Sequence, residues 1–451
     1  MHTDSLGNPV SVTDAVSRRL LDDFVTGFIS CEARAANVLQ AESDPDPLVQ
    51  AYCAALHMFA ESRDAVGNAR PFVARAQSSA MHATPRERRF VAAVAAWVAG
   101  DIAEAIRLHH EQAIEFPRDL ASLKLGQYHC FNTGDCPGML RLALAVLPSA
   151  ADVPYVHGMA AFGYEQCHCM REAETSARRA IALCRKEPWA HHGLAHVMLT
   201  EGRLTEGLAF MQEMSETWTG LNSFMVTHNW WHMALFLIDL GRDTEALAVY
   251  DREVWGVVKD YSQDQIGAAS LLARFELAGI DVGNRWQDLA DHLVRRLNDH
   301  VLPFLDLQYL YGLARAGRPE ADTLLRNIEA FAPHAPASSR AAWQRVCVPA
   351  AHGLLAHARG DHAGAIDGLG QALPRLVEIG GSHAQRDLFE QVYLDALVRS
   401  GTETTLTGAQ GVLQQQLHGQ PESLRLRRQA GVVYRALGLP ELAAATDATL
   451  G

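Results

Sequence analysis

The hydrophobic and polar positions fall into long runs rich in Ala, Leu, Arg and Glu, with few consecutive β-branched residues, which is a helical pattern. Strand is expected to be almost absent. The stretch FVAAVAAWVAGDIAEAIRLHHEQAIEFP shows the unit: an apolar helix, a Gly100-Asp101 turn, a second helix, then Pro117 as a stop. Small residues at Ala93 and Ala105 stand where two antiparallel helices would cross closely. The segment predicts one helical hairpin.

This unit repeats. Steps of 34 residues from Gly100 reach Gly134, His168 and Gly202, and further turns are predicted at Gly241, Gly279, Gly317, Gly360, Gly401 and Gly438, with spacings of 39, 38, 38, 43, 41 and 37. A small residue seven before the turn and an alanine five after it (Ala173, Ala246, Ala365, Ala443) complete the tetratricopeptide pattern. The expected fold is an all-α superhelix of tetratricopeptide-type hairpins, an α-solenoid of about ten or eleven repeats. Residues 1–85 fit the ruler poorly and are expected to form a helical N-terminal cap. Residues 86–260 then hold the repeats with the chemistry, and residues 261–451 the C-terminal repeats and their cap.

Composition agrees with such an array, because 451 residues exceed what one core usually supports, and 48% hydrophobic against 20% charged residues can bury a large one. The formal charge of −13, without a Lys/Arg cluster, argues against nucleic acid as a partner. The first residues lack a basic segment followed by an apolar one, and no apolar run reaches the length of a membrane span, so the expected location is cytoplasmic and off the membrane. Eight cysteines show no CxxC pair and read as buried free thiols; Cys167 and Cys169, two apart, point to different helix faces.

Against this background the stretch VTHNWWHMAL stands out, because it places His228 and His232 one helical turn apart. The preceding hairpin repeats the step with His192 and His196, each 36 residues before its counterpart. With the turn residue as position 15, His192 and His196 take positions 5 and 9, His228 and His232 take 2 and 6, and Glu165 takes position 12 of the hairpin before. Positions 2, 5, 9 and 12 line the concave face in this repeat class, and position 6 adjoins them. Two HxxxH steps on neighbouring helices, about 8–10 Å apart, present four imidazoles to one volume. Neutral imidazoles with a carboxylate are a normal set for zinc, iron or copper. HExxH is absent, since Gly193-Leu194 and Asn229-Trp230 fill the inner positions. Two other readings stay open: hydrogen-bonding walls of an organic-ligand pocket, and inert packing.

His157 is expected in the inter-helix core and His168 in a turn. Trp230 stands where the repeat places a packing aromatic, leaving Trp231 as a groove wall. The remaining stripe (Ile266, Ala269, Ala273, Phe304, Leu307, Tyr311, Leu354) is mostly apolar, so the expected groove is greasy around a polar patch.

The segments HNWWHMALFLIDLGRDTEALAVYD, GLAFMQEMSETW, GNRWQDL, DHVLPFLDLQYL and GGSHAQRDLFEQ resemble the tetratricopeptide repeat protein 38 family over about residues 85–400. The resemblance picks out Glu165, His192, His196, His228, Asn229, His232, Asp264, His300, Asp306, Gln385, Arg386 and Asp387. It implies more than a scaffold, because peptide-docking tetratricopeptide domains usually carry Lys and Arg along the groove, and transfers no settled activity. His383 departs from the family at a variable position and is left aside. Arg386, Asp387, His300 and Asp306 stand near the starts of first helices, so they either face the histidine patch or cap helices and pair with each other.

The function expected is small-molecule binding in a His/Glu-lined cavity. A metal, zinc or iron, is expected on Glu165, His192, His196, His228 and His232, with Gln166 and Asn229 orienting the ligands. Trp231, Asp264, His300, Asp306, Gln385, Arg386 and Asp387 are the other expected ligand-binding residues. If the protein is an enzyme it is a metal-dependent one, hydrolase and oxidoreductase not being distinguished. The alternative is a non-catalytic scaffold docking a peptide in the concave groove, with a protein partner or a second copy of the chain.

Overall fold

The computed structural model describes residues 2–450. From Pro85 onward the helices pair into ten consecutive hairpins, beginning with Pro85–Val98 and Ile102–Glu115 and ending with Leu424–Ala436 and Pro440–Asp447. All ten turn positions of the ruler, His168 included, have positive φ, between 58° and 83°. A left-handed residue lets a helix stop and the chain reverse, and glycine adopts it without steric cost. The residue after the turn often starts the next helix: Asp101, Asp135 and Asp361 accept hydrogen bonds from the amides of Glu104, Gly138 and Gly364. The Gly-Asp pair therefore encodes both halves of the reversal.

The N-terminal region continues the pattern. Pro47–Met58 and Ala65–Ser79 form an eleventh hairpin, turning near Glu61, whose φ is +46°. Asp46 caps the first of these helices through the Leu48 and Val49 amides, which the ruler, built on glycine turns, did not register. A short antiparallel pairing of His2–Thr3 with Pro9–Val10 and an isolated bridge between Glu32 and Leu221 are the strand structure among the described residues.

The chain divides into two compact units. The first comprises Met1–Leu194, Glu216–Met225 and Pro336–Ser339. Its aromatic core stacks Phe24 on Tyr52 at 4.0 Å, with Phe90 edge-on at 5.1 Å. Arg86 donates to Asp119 at 3.0 Å and to the Pro9 carbonyl, tying the N-terminal strands to the first repeats. Lys124 caps the end of the Ala15–Ile29 helix through the Phe28 carbonyl at 2.7 Å.

The second unit comprises Ala195–Ser215, Val226–Ala335 and Arg340–Gly451. Its last repeats return to its first. Gln420 donates to the Leu199 carbonyl at 2.7 Å, and Ser423 and Arg425 both donate to Asp239, at 2.8 and 2.9 Å. The start of the His383–Ser400 helix meets this face where Arg274 donates to the Ala384 carbonyl and Phe304 packs on Phe389, and Ile266, Ala269, Ala273, Phe304, Leu307, Tyr311 and Leu354 are all buried. The open greasy groove expected along that stripe is closed: Gly381 packs so tightly on the Phe304 ring that a Cβ would approach it to 2.9 Å.

No helix of the described residues is long and apolar enough to cross a membrane. All eight cysteines are free; Cys31, Cys53, Cys130 and Cys347 are buried, whereas Cys136, Cys167, Cys169 and Cys184 are half-buried.

Candidate functional site

Helix geometry places His228, Trp231 and His232 on one face of the Ser223–Asp239 helix, at steps of three and four residues. Trp231 is 1% exposed and Trp230 is half-buried, the reverse of the assignment expected from repeat positions. The face is decided by the histidines: Trp231 turns inward with them, and Trp230 falls about 100° away. The Trp231 ring lies parallel to His228 at 5.3 Å and edge-on to His232 at 4.8 Å.

Within the second unit the two histidine helices meet. The rings of His196 and His232 are 4.5 Å apart and those of His228 and His232 4.8 Å apart. Each of His196, His228 and His232 offers a ring nitrogen, and these lie within 4.8 Å of one another. All three are buried. Burial, with His196 nearby, pushes the His228 imidazole down to about 3, so it is neutral at physiological pH. Zinc bonded to two imidazoles at about 2.1 Å in tetrahedral geometry separates their nitrogens by about 3.4 Å, so modest ring rotations would bring three nitrogens onto one ion.

His383, set aside on sequence, is part of this cluster. Its ring stands edge-on to His196 at 5.4 Å, and its Nε2 is 3.1 Å from Thr200 Oγ1. Gly380 and Gly381, both at positive φ, and a capping box between Ser382 and Gln385 fix where this helix begins. Gln385 is thereby engaged with the Ser382 backbone at 2.9 Å, and Arg386 donates to the Gly381 carbonyl. Asp387 accepts from Gln391 and faces Arg274 at 3.3 Å. Arg274 is 2% exposed, donates to the Ala384 carbonyl at 2.7 Å, and lies 5.5 Å from the Trp231 ring.

The other expected residues divide by place. Asp264 accepts from Thr227 and from the Val258 amide, both at 3.2 Å, and so holds the start of its helix against the histidine helix. Asn229 is buried on that same helix. His300 and Asp306 pair with each other at 2.6 Å, with His300 stacked on Phe331 at 4.9 Å; burial raises the Asp306 carboxyl to about 6, against the pull of His300. In the first unit, His192 packs against Trp189 at 4.6 Å and Phe162 at 5.0 Å, and Gln166 donates to Glu165 at 2.6 Å, with His192, Gln166 and Glu165 all buried. His157 is half-buried and bonds the Ala151 carbonyl at 2.9 Å, a local tie at its own helix start where a core position was expected.

A relay of three further residues had no sequence signal beyond repeat register. Tyr311 meets His357 Nδ1 at 2.9 Å, and His357 Nε2 meets Asp395 at 2.8 Å. Their first-helix positions, 9, 12 and 9, are inner-face positions of three successive repeats.

No family model matches the chain. Among solved structures, human IFIT1, described as a dimer with PPP-AAAA, aligns over 95% of this chain and 94% of its own at 12% identity and a TM-score of 0.45. The P58(IPK) TPR domain aligns over 81% and 92% at 10% identity and 0.21, and yeast Tom70 over 79% and 90% at 11% identity and 0.28. The exclusion of nucleic acid is withdrawn as a correction: IFIT1 is also described with m7Gppp-AAAA. A charge summed over a whole chain says nothing of one local site. The fold itself, an all-α array of tetratricopeptide-type helical hairpins, stands on the order and pairing of the chain's own helices.

Proposed function

We propose that the protein binds a small molecule at the histidine site of its second unit, through a zinc or iron ion held by His196, His228 and His232, as a member of the tetratricopeptide repeat protein 38 family. The observation that carries this reading is the meeting of three buried ring nitrogens within 4.8 Å. Neutral imidazoles are ordinary ligands of zinc and iron, and one ion can take all three. The neutral state of His228 suits ligation, because a protonated imidazole must first lose its proton. A bound ion with three protein ligands keeps a position for water or substrate and supplies Lewis acidity there. His383 stands beside His196 and meets Thr200, and Trp231 packs against the His228 and His232 rings. The rival reading, a peptide laid along an open concave groove, has no comparable support, because that stripe is buried.

Elemental analysis of untagged protein, purified without chelator, tests the proposal. Zinc or iron near one equivalent per chain is expected, and His196→Ala or His232→Ala should abolish it while the circular dichroism spectrum stays helical. Absence of metal, with no thermal shift on adding zinc or ferrous iron, would refute it.

A further inference from the structure

Behind the histidines, the second unit buries polar groups that its own hydrogen bonds leave incomplete. Among the described residues, Ser270 Oγ, Arg274 Nε and both amide atoms of Gln308 are buried without a hydrogen-bond partner. Ser270 is 4% exposed, Arg274 2% and Gln308 1%. Burying such an atom without a partner is costly relative to a satisfied group. Four of them in two adjacent helices point to something that they bind.

Repeat register puts these groups in one row with the histidine site. His232, Ser270 and Gln308 each stand nine residues before their turn glycines, Gly241, Gly279 and Gly317. Arg274 follows Ser270 by one helical turn, on the same face. The Ser262–Leu277 helix lies beside the histidine helix through the bond from Thr227 to Asp264 and the contact of Arg274 with Trp231. Laid end to end, the 5.5 Å from Arg274 to the Trp231 ring and the 4.8 Å from that ring to His232 bound the separation of guanidinium and imidazole at about 10 Å. A molecule of a few carbons spans that.

The charge identifies one end of it. Arg274 is wholly buried, and its ion pair with Asp387 is long, at 3.3 Å, with a carboxylate that is 38% exposed and is shared with Gln391. Burial outweighs that partner, so the guanidinium is held below its ordinary basicity; Arg425 opposes it, and Asp239, which pairs with Arg425 at 2.9 Å, favours it. One under-compensated guanidinium accommodates one negative charge, which favours a carboxylate over a dianionic phosphate.

We infer that the small molecule of this site is an organic acid, its carboxylate bound by Arg274, its polar body hydrogen-bonded by Ser270 and Gln308, and its far end directed to the histidine cluster. The inference rests on the proposed small-molecule site, but its anchor is Arg274 rather than the metal.

Calorimetric titration of the full chain with two- to eight-carbon mono- and dicarboxylates, each paired with its primary amide, tests it. A Co(II)-loaded sample read by its visible absorption reports the metal separately. At least one acid should bind at least tenfold more tightly than its amide, and Arg274→Gln and Gln308→Leu should each weaken it at least tenfold. Gln308→Leu guards against misfolding, because it removes only unpartnered atoms and should raise the melting midpoint of the ligand-free chain by about 2 °C. Acid binding through Arg274 in a chain that takes up no Co(II) would leave this inference standing and sink the metal. Equal affinity for acid and amide, no binding across the panel, or a stabilised Gln308→Leu chain with unchanged acid affinity would overturn it, whether or not Co(II) binds.

Discussion

Replacing His129 by leucine should make the first unit less sensitive to acid. His109 and His129 are buried side by side, their rings 5.6 Å apart, with Phe90 and Trp97 packed against them. His109 Nδ1 bonds Ser122 Oγ at 2.7 Å. Burial, reinforced by His110, pushes the His109 imidazole down to about 3, and burial together with His109 pushes His129 well below its ordinary value. The folded-state pKa therefore lies below the unfolded one, near 6.5, so the unfolded chain takes up protons that the folded chain refuses. The stability contributed by neutral burial is complete above pH 6.5 and is lost as pH falls from there toward 3. At pH 5 the unfolded histidine is favoured by 1.5 pH units at 1.36 kcal/mol each, about 2 kcal/mol per histidine and about 4 kcal/mol for the pair. Urea unfolding followed by circular dichroism at pH 7.5 and pH 5 measures the loss. The His129→Leu chain should lose about 2 kcal/mol less than the wild type across that interval. The difference between the two chains cancels the carboxylates, which titrate in both. Equal losses in the two chains, within about 0.5 kcal/mol, would show that the folded state protonates or hydrates these rings, and the reasoning would fall.

Two other outcomes follow from packing and charge. A Cβ on Gly368 would lie 2.7 Å from both the Gly353 amide nitrogen and the Pro349 carbonyl oxygen, backbone atoms that cannot yield, so Gly368→Ala should cost about 1–3 kcal/mol in urea unfolding. Gly408→Ala, with nothing within 4 Å of the new atom, should instead stabilise its helix by about 0.5–1 kcal/mol, and equal effects would contradict the close crossing. Arg86→Met strands Asp119, which is 4% exposed, without its cation and should destabilise the chain by about 3–5 kcal/mol; a loss under about 1 kcal/mol would mean the pair is hydrated.

The repeat was legible because its turns are set locally. Glycine spacing located nine reversals, and the tenth, at His168 with φ of +58°, followed from distance along the chain. Glu61 escaped because its hairpin turns on a non-glycine residue at a spacing of 39 from Gly100. The paired HxxxH steps were visible as helical periodicity, and the same periodicity holds His228 and His232 on one face. What escaped depends on chain crossing itself. Nothing near His383 announces His196, which lies 187 residues earlier, although Ser382 and Gln385 did spell a helix start that could have been read. Trp230 and Trp231 were exchanged because repeat numbering assigns faces by average geometry, whereas the histidine-bearing face governs here. Arg274 carried no signal, since a lone arginine in a helix is ordinarily a surface residue.

In an open solenoid each hairpin answers only to its neighbours, so units can be deleted from an end and the remainder folds. The return of Gln420, Ser423 and Arg425 to Leu199 and Asp239, and of His383 to Thr200, removes that freedom from the second unit. Ends separated by some 180 to 220 positions must meet before these bonds form, which gives this unit the high contact order of a closed domain. Its folding should be slow for a helical protein and all-or-none. Natural variation in repeat number, the usual route by which such arrays evolve, is barred between residues 195 and 425, because one hairpin more or fewer would carry the closing segment past its seat.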